Sequence, residues 1–257
     1  MGKWAPFPHP GEFDFSPEEV RARWARLHAG DAEPLPADDA VLQAWTLFHR
    51  GEFQKAVEAG LKAGGAGITV ANKATCIYAT YLEKKEKNRL ELFQEVARRA
   101  QAQAQHEPRN AAAWYLHGYS LGRYSQAISV AKALAQGLGG QVKDSLERAI
   151  KLNPRHAEAH LALAGFHAEV IDKVGALIGG MTYGAKRETG LKLYQEALRL
   201  HPQWAIGLIE YANGMVMLDG ESRMAEATAL YERAAALDPA DAAERLNVAL
   251  AQAELQE

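Results

Sequence analysis

Leu152-Asn153-Pro154, Leu200-His201-Pro202 and Leu237-Asp238-Pro239 close three stretches that run in through Glu147-Arg148-Ala149-Ile150, Gln195-Glu196-Ala197-Leu198 and Glu232-Arg233-Ala234-Ala235. Each is preceded by an Ala- and aromatic-rich segment with helical periodicity. Proline cannot continue a helix, so the recurring Leu-x-Pro marks one kind of helix end three times over. With Pro108 included, the prolines follow one another at intervals of 46, 48 and 37 residues. Self-similarity of this sort predicts helix pairs that bury their apolar faces on the neighbouring pairs.

Working outward, the 257 residues are 48% hydrophobic with alanine prominent, and no run of alternating Val, Ile and Thr offers a strand. An all-α chain is expected. The net charge of −3 is spread along the helices instead of gathered into a basic stripe, which argues against nucleic acid as a partner. Cys76, the single cysteine, excludes an internal disulfide and fits a reducing compartment. Met1-Gly2-Lys3-Trp4-Ala5-Pro6-Phe7-Pro8 lacks the apolar core of a signal peptide, and Pro6 stands where a myristoylation signal wants Ser or Thr. The longest apolar stretch, Ala159 to Tyr183, is interrupted by Glu169, Asp172 and Lys173. Each would cost about 2.5 to 3.5 kcal/mol at mid-membrane, so a cytoplasmic protein is expected. Ala- and Arg-rich usage points to a bacterial source.

Residues 1–37 read as a Pro- and aromatic-rich arm followed by a helix that Ser16-Pro17-Glu18-Glu19 caps and starts. Residues 38–257 read as the repeat domain. Its first pair is Asp38 to His49 and Phe53 to Lys62, turning at Gly51; its second is Val70 to Lys85 and Arg89 to His106. Leu246, Ala249, Leu250 and Ala253 give residues 241–255 the spacing of a capping helix.

Trp114 with Gly118, then Ala149 with Pro154, resemble the tetratricopeptide (TPR) pattern in a third unit; Tyr194, Ala197 and Pro202 do so in a fourth, and Ala227, Tyr231, Ala234 and Pro239 in a fifth. The resemblance implies a right-handed superhelical array of antiparallel helix pairs, a TPR-like α-solenoid. Two of the proline intervals exceed the family period of about 34 by roughly a dozen residues, so the third and fourth repeats are expected to be enlarged. Residues 110–202, inserts included, are similar to TPR proteins of the regulator of microtubule dynamics type.

The excess falls at about 122–140 and 172–186. Ile128, Ala131, Ala135, Leu138, Val142 and Ala149 predict a long helix over 125–152, kinked at Gly137, Gly139 and Gly140. Val170, Val174, Leu177, Ile178 and Met181 form a second stripe that Gly184 ends. Such stripes predict extra packing turns, or else an apolar surface that meets a membrane or a second copy.

Several spellings of chemistry lack their setting. Gly118-Tyr119-Ser120-Leu121-Gly122 matches a serine-hydrolase elbow, with Asp172 and His201 following, yet no strand leads into it. His156, His160 and His167 share one helix face, but the last two are separated by roughly 10.5 Å of rise, too far for one zinc. Gly179 to Gly184 has phosphate-loop spacing with Ala185 where lysine belongs. No catalytic residue, metal or cofactor is therefore expected.

By the TPR resemblance, the first helix of each pair lines a concave groove. That implies contacts at Trp45 and His49, at Tyr115, Tyr119 and Arg123, at Leu161 and Glu169, and at Ile209, Asn213 and Met217. Tyr and Arg are the types that carry most interface energy. Family members that hold a chaperone C-terminal carboxylate use Lys, Asn and Arg, where this chain has Tyr115, Tyr119, Glu158 and Ala162. The expected function is a non-enzymatic adaptor for a protein or peptide partner, with the apolar inserts as an alternative surface and Ser120 hydrolysis as a remote one.

Overall fold

Ser16 accepts the Glu19 amide on its hydroxyl at 3.2 Å, and the Glu19 carboxylate accepts the Ser16 amide at 2.7 Å. This capping box starts α1 (Pro17–Leu27) where the sequence places it. The computed structural model describes residues 3–256. Met1 and Gly2, where the arm and its acylation reading begin, and Glu257, the last residue of the expected repeat domain, lie outside the described residues.

Among the described residues there is no strand. The helices that follow α1 are α2 (Asp39–His49), α3 (Phe53–Ala63), α4 (Gly67–Tyr81), α5 (Glu86–His106), α6 (Ala111–Gln126), α7 (Val130–Ala135) and α8 (Leu138–Leu152). After them come α9 (Ala157–Val174), α10 (Ala176–Tyr183), α11 (Arg187–Leu200), α12 (Ala205–Asp219), α13 (Met224–Ala235) and α14 (Ala242–Glu254). Contacts group them into two compact units. The first takes the chain up to His28, then Glu33–Leu152 and Ala240–Ala243; the second takes Ala29–Ala32, Asn153–Pro239 and the residues from Glu244 on.

Within the first unit α2 packs on α3, α4 on α5 and α6 on α8, and the leading helices touch in turn, α2 with α4 and α4 with α6. The second unit repeats the arrangement with α9 on α11, α12 on α13 and α9 beside α12. This is the all-α, TPR-like stack of helix pairs that the prolines predict. α7 lies between α6 and α8 in the chain, and α10 between α9 and α11.

Two expectations fail on backbone geometry. No continuous helix covers 125–152: α6 runs past Gly122 to Gln126, and Gly137, at φ +61°, separates α7 from α8. That left-handed conformation suits glycine and interrupts the helix outright where a kink is expected. Gly175 at φ +82° does the same to the stripe from Val170 to Met181, ending α9 and starting α10.

The arm is irregular yet docked on the first unit. Trp4 stacks on Tyr78 with ring centroids 4.0 Å apart, and Phe7 covers the turn at Gly51, where a Cβ would lie 2.6 Å from its ring. In the second unit Tyr194 and Trp204 pack among Ala157, Leu161, Ala164 and Ala197. Val248 and Ala251 of α14 seat on Ala205, Leu208, Ile209 and Ala234, so the last helix shields the final pair.

His117 supplies a pH dependence. It is buried between α6 and α8 with Nδ1 2.8 Å from the Ser145 hydroxyl, and burial lowers its pKa from the ordinary 6.5. The folded chain therefore keeps the ring neutral under conditions in which the unfolded chain binds a proton. Its contribution is present above pH 6.5 and is lost as pH falls from there through the folded pKa, at up to about 1.4 kcal/mol per pH unit. Urea denaturation at pH 7 and pH 5 is expected to show a smaller acid loss for His117→Asn than for the wild type. Identical losses would remove His117 from the account.

Candidate functional site

Because each leading helix touches the next, α2, α4 and α6 form one layer of the first unit, and α9 and α12 form the corresponding layer of the second. The ten candidate contacts all lie on these helices, but their side chains divide sharply by environment.

On α2, Trp45 and His49 are interior residues. Trp24 and His28, from α1 and its end, meet the Trp45 ring at 6.1 and 4.6 Å, and Asp241 lies 2.6 Å from His49 Nδ1. α1 thus covers the face that the repeat pattern leaves open, and both side chains serve packing. Ile209 is interior for a parallel reason, since Val248 and Ala251 of α14 lie in its cluster. Leu161 is buried among Ala157, Ala164 and Trp204, and Tyr115 is buried with its ring 5.7 Å from that of Tyr119.

Five candidates retain exposure. Tyr119 and Arg123 of α6 are half-buried, and the Tyr119 hydroxyl lies 3.3 Å from that of Thr80 on α4. In the second unit Glu169 pairs with Lys173 at 3.9 Å, Asn213 accepts the Tyr231 hydroxyl at 2.8 Å, and Met217 is exposed. Two residues beyond Met217, Asp219 binds both Arg187 and Arg223. The hydrogen bond from Arg187 is the main cause holding the Asp219 carboxyl below its ordinary pKa, and the pairing fixes this end of α12.

A further feature escapes sequence reasoning. Where the start of α5 meets the end of α6, a surface groove of about 470 Å³ is lined by Leu90, Gln94, Tyr124, Ile128 and Lys132, with Glu86 and Glu91 on its α5 side. Its walls come from residues some forty positions apart, and no local motif signals that meeting.

The spelled chemistries do not assemble. Ser120 is fully buried in the body of α6, 3.5 Å from the sulfur of Cys76, so it is no strained elbow open to a substrate. Gly118 has a packing role: a Cβ there would meet Leu146 at 2.9 Å. The three histidines are buried and serve the backbone. His156 Nδ1 accepts the Ala159 amide at 3.3 Å, His160 Nε2 donates to the Pro154 carbonyl at 2.9 Å, and His167 Nδ1 accepts the Lys186 amide at 3.1 Å. Gly179 to Gly184 is helix with a left-handed end, not a phosphate loop. Among the described residues no cluster of His, Cys, Asp and Glu could hold a metal ion, and no helix is long and apolar enough to cross a membrane.

No family model matches the chain, and no curated protein matches it. Among solved structures, a thermophilic TPR protein of Thermus thermophilus is similar at 18% identity and a TM-score of 0.57, covering 84% of this chain and 98% of that one. The likeness carries the TPR-type helical repeat fold. The comparisons do not show the regulator of microtubule dynamics type expected for residues 110–202.

Proposed function

We propose that the chain is a non-enzymatic scaffold that grips a protein or peptide segment along the leading helices of its repeats. The observation that carries this reading is the half-exposed pair Tyr119 and Arg123 on α6, one helical turn apart. A Tyr and an Arg held on a rigid helix pre-organise an interface, because little rotamer freedom remains to be lost on binding. Glu169, Asn213 and Met217 are the corresponding contacts proposed in the second unit, and the interior candidates support these positions through packing. The TPR-type fold favours the same class of activity by analogy of architecture alone. We place the scaffold in the cytoplasm, whose reducing conditions suit a chain with a single, buried cysteine.

Affinity capture from the native cell, followed by mass spectrometry, tests the reading. Tyr119→Ala with Arg123→Ala is expected to weaken capture of the specific partner about 30-fold or more, the effect of losing one interface anchor of about 2 kcal/mol. The melting transition should remain cooperative. A partner captured equally by the double variant would reject α6 as the binding wall.

A further inference from the structure

The three most exposed large hydrophobic side chains among the described residues, Leu177 at 76%, Ile178 at 58% and Met181 at 81%, sit on a single helix, α10. Their spacing of one, three and four residues puts them on one face. The opposite face is anchored through glycine: Gly179 is buried, and a Cβ there would lie 2.9 Å from Val170 of α9. Gly175 at φ +82° turns the chain into α10, and Gly184 at φ +64° turns it out. The glycines therefore seat the helix on α9 with its apolar residues outward.

We infer that α10 is a membrane-docking element whose Leu177, Ile178 and Met181 insert into the outer part of an anionic bilayer surface. Residues 174–185 carry no charge; before them stands exposed Lys173, which pairs with Glu169 and follows the exposed Asp172, and after them stands exposed Lys186. Arg187, the next residue, is held by Asp219 and Glu188. An apolar tip with a lysine at each end suits a surface of acyl chains beneath phosphates, with long lysine stems reaching back to the headgroups. Tyr183, at the base of the tip with its ring edge-on to Phe166 at 6.2 Å, belongs at the same polar boundary. Size separates this occupant from a protein. Three side chains on two turns fall far short of the roughly 800 Å² and 20–30 residues per partner that a stable complex buries, whereas lipid demands no matching shape. The element lies on the membrane and does not span it, as no described helix is long and apolar enough to do so.

Flotation with phosphatidylcholine vesicles, with and without phosphatidylserine, tests the inference on the full chain. The wild type is expected to float more strongly with the phosphatidylserine vesicles, and Leu177→Ser with Met181→Ser to lose at least about tenfold in binding, as two withdrawn apolar side chains predict. Because both sites are exposed, the melting temperature should stay unchanged. Ile178→Trp should show a blue shift of its emission on the same vesicles. No flotation, equal flotation with both vesicle types, or equal flotation of the serine variant would each overturn the inference. So would a dimer in light scattering that the serine variant abolishes, because the face would then belong to a second copy. Partner capture through Tyr119 and Arg123 is read separately and is independent of these outcomes.

Discussion

Gly60→Ala is expected to destabilise the first unit by about 3 kcal/mol, although alanine is the better helix former. α3 and α4 approach through two glycines. A Cβ on Gly60 would lie 2.4 Å from the Gly67 carbonyl oxygen, and a Cβ on Gly67 would lie 2.4 Å from the Gly60 carbonyl oxygen. Both obstacles are backbone atoms, so no rotamer change relieves the clash and the helices must separate. The neighbouring Ala63, Val70 and Ala71 then lose close packing, which explains a cost at the upper end for overpacking. Gly140→Ala is the matched control. Gly140 lies within α8 with no neighbouring atom within 4 Å and without a positive φ, so alanine there should stabilise by about 0.5 to 1 kcal/mol. Urea denaturation of the two variants should therefore move in opposite directions. A neutral Gly60→Ala would mean that the crossing is looser than its geometry indicates.

The same glycine shows what the sequence reveals and what it conceals. The ends of α8, α11 and α13 are legible because proline and the preceding Leu act locally, and so is the start of α1, where Ser16 caps its own helix, and within one residue that of α2. Gly67 reads as part of a linker, whereas it is the buried first residue of α4, and Gly60 in mid-helix passes unnoticed. A glycine kept in a helix interior at a cost of about 1 kcal/mol is itself a signal of close approach, but its counterpart cannot be found without the crossing. The inserts behave likewise: their stripes are visible, while the breaks at Gly137 and Gly175 depend on backbone angles that their periodicity does not encode.

The burial of Trp45, His49 and Ile209 has a different origin. Repeat registration places Trp45, His49 and Ile209 on α2 and α12, and that is a local property. Whether the face is open depends on what else is laid upon it, and here α1 covers α2 while α14 covers Ile209. Neither covering is encoded near the residues covered. Asp241, which meets His49 across 192 positions, illustrates the distance involved.

That contact gives the second large expected effect. The His49 Nδ1–H donates to the Asp241 carboxylate at 2.6 Å, and its Nε2 lies 3.3 Å from Nε2 of His28. All three groups are buried, so each donor and acceptor position counts more than it would in water. His49→Ala removes the close partner of a buried carboxylate and leaves a cavity beside Trp45 and Phe48. The expected loss is about 3 to 5 kcal/mol. Asp241→Asn retains an acceptor without the charge and should lose less, about 1.5 to 3 kcal/mol. A double-mutant cycle on the two positions separates the bond from the cavity: the coupling should reach at least about 1.5 kcal/mol, and additive losses would show that His49 acts by volume alone. Hydrogen exchange gives a local readout, because residues 240–243 belong to the first unit and should lose protection in His49→Ala before α4 and α5 do.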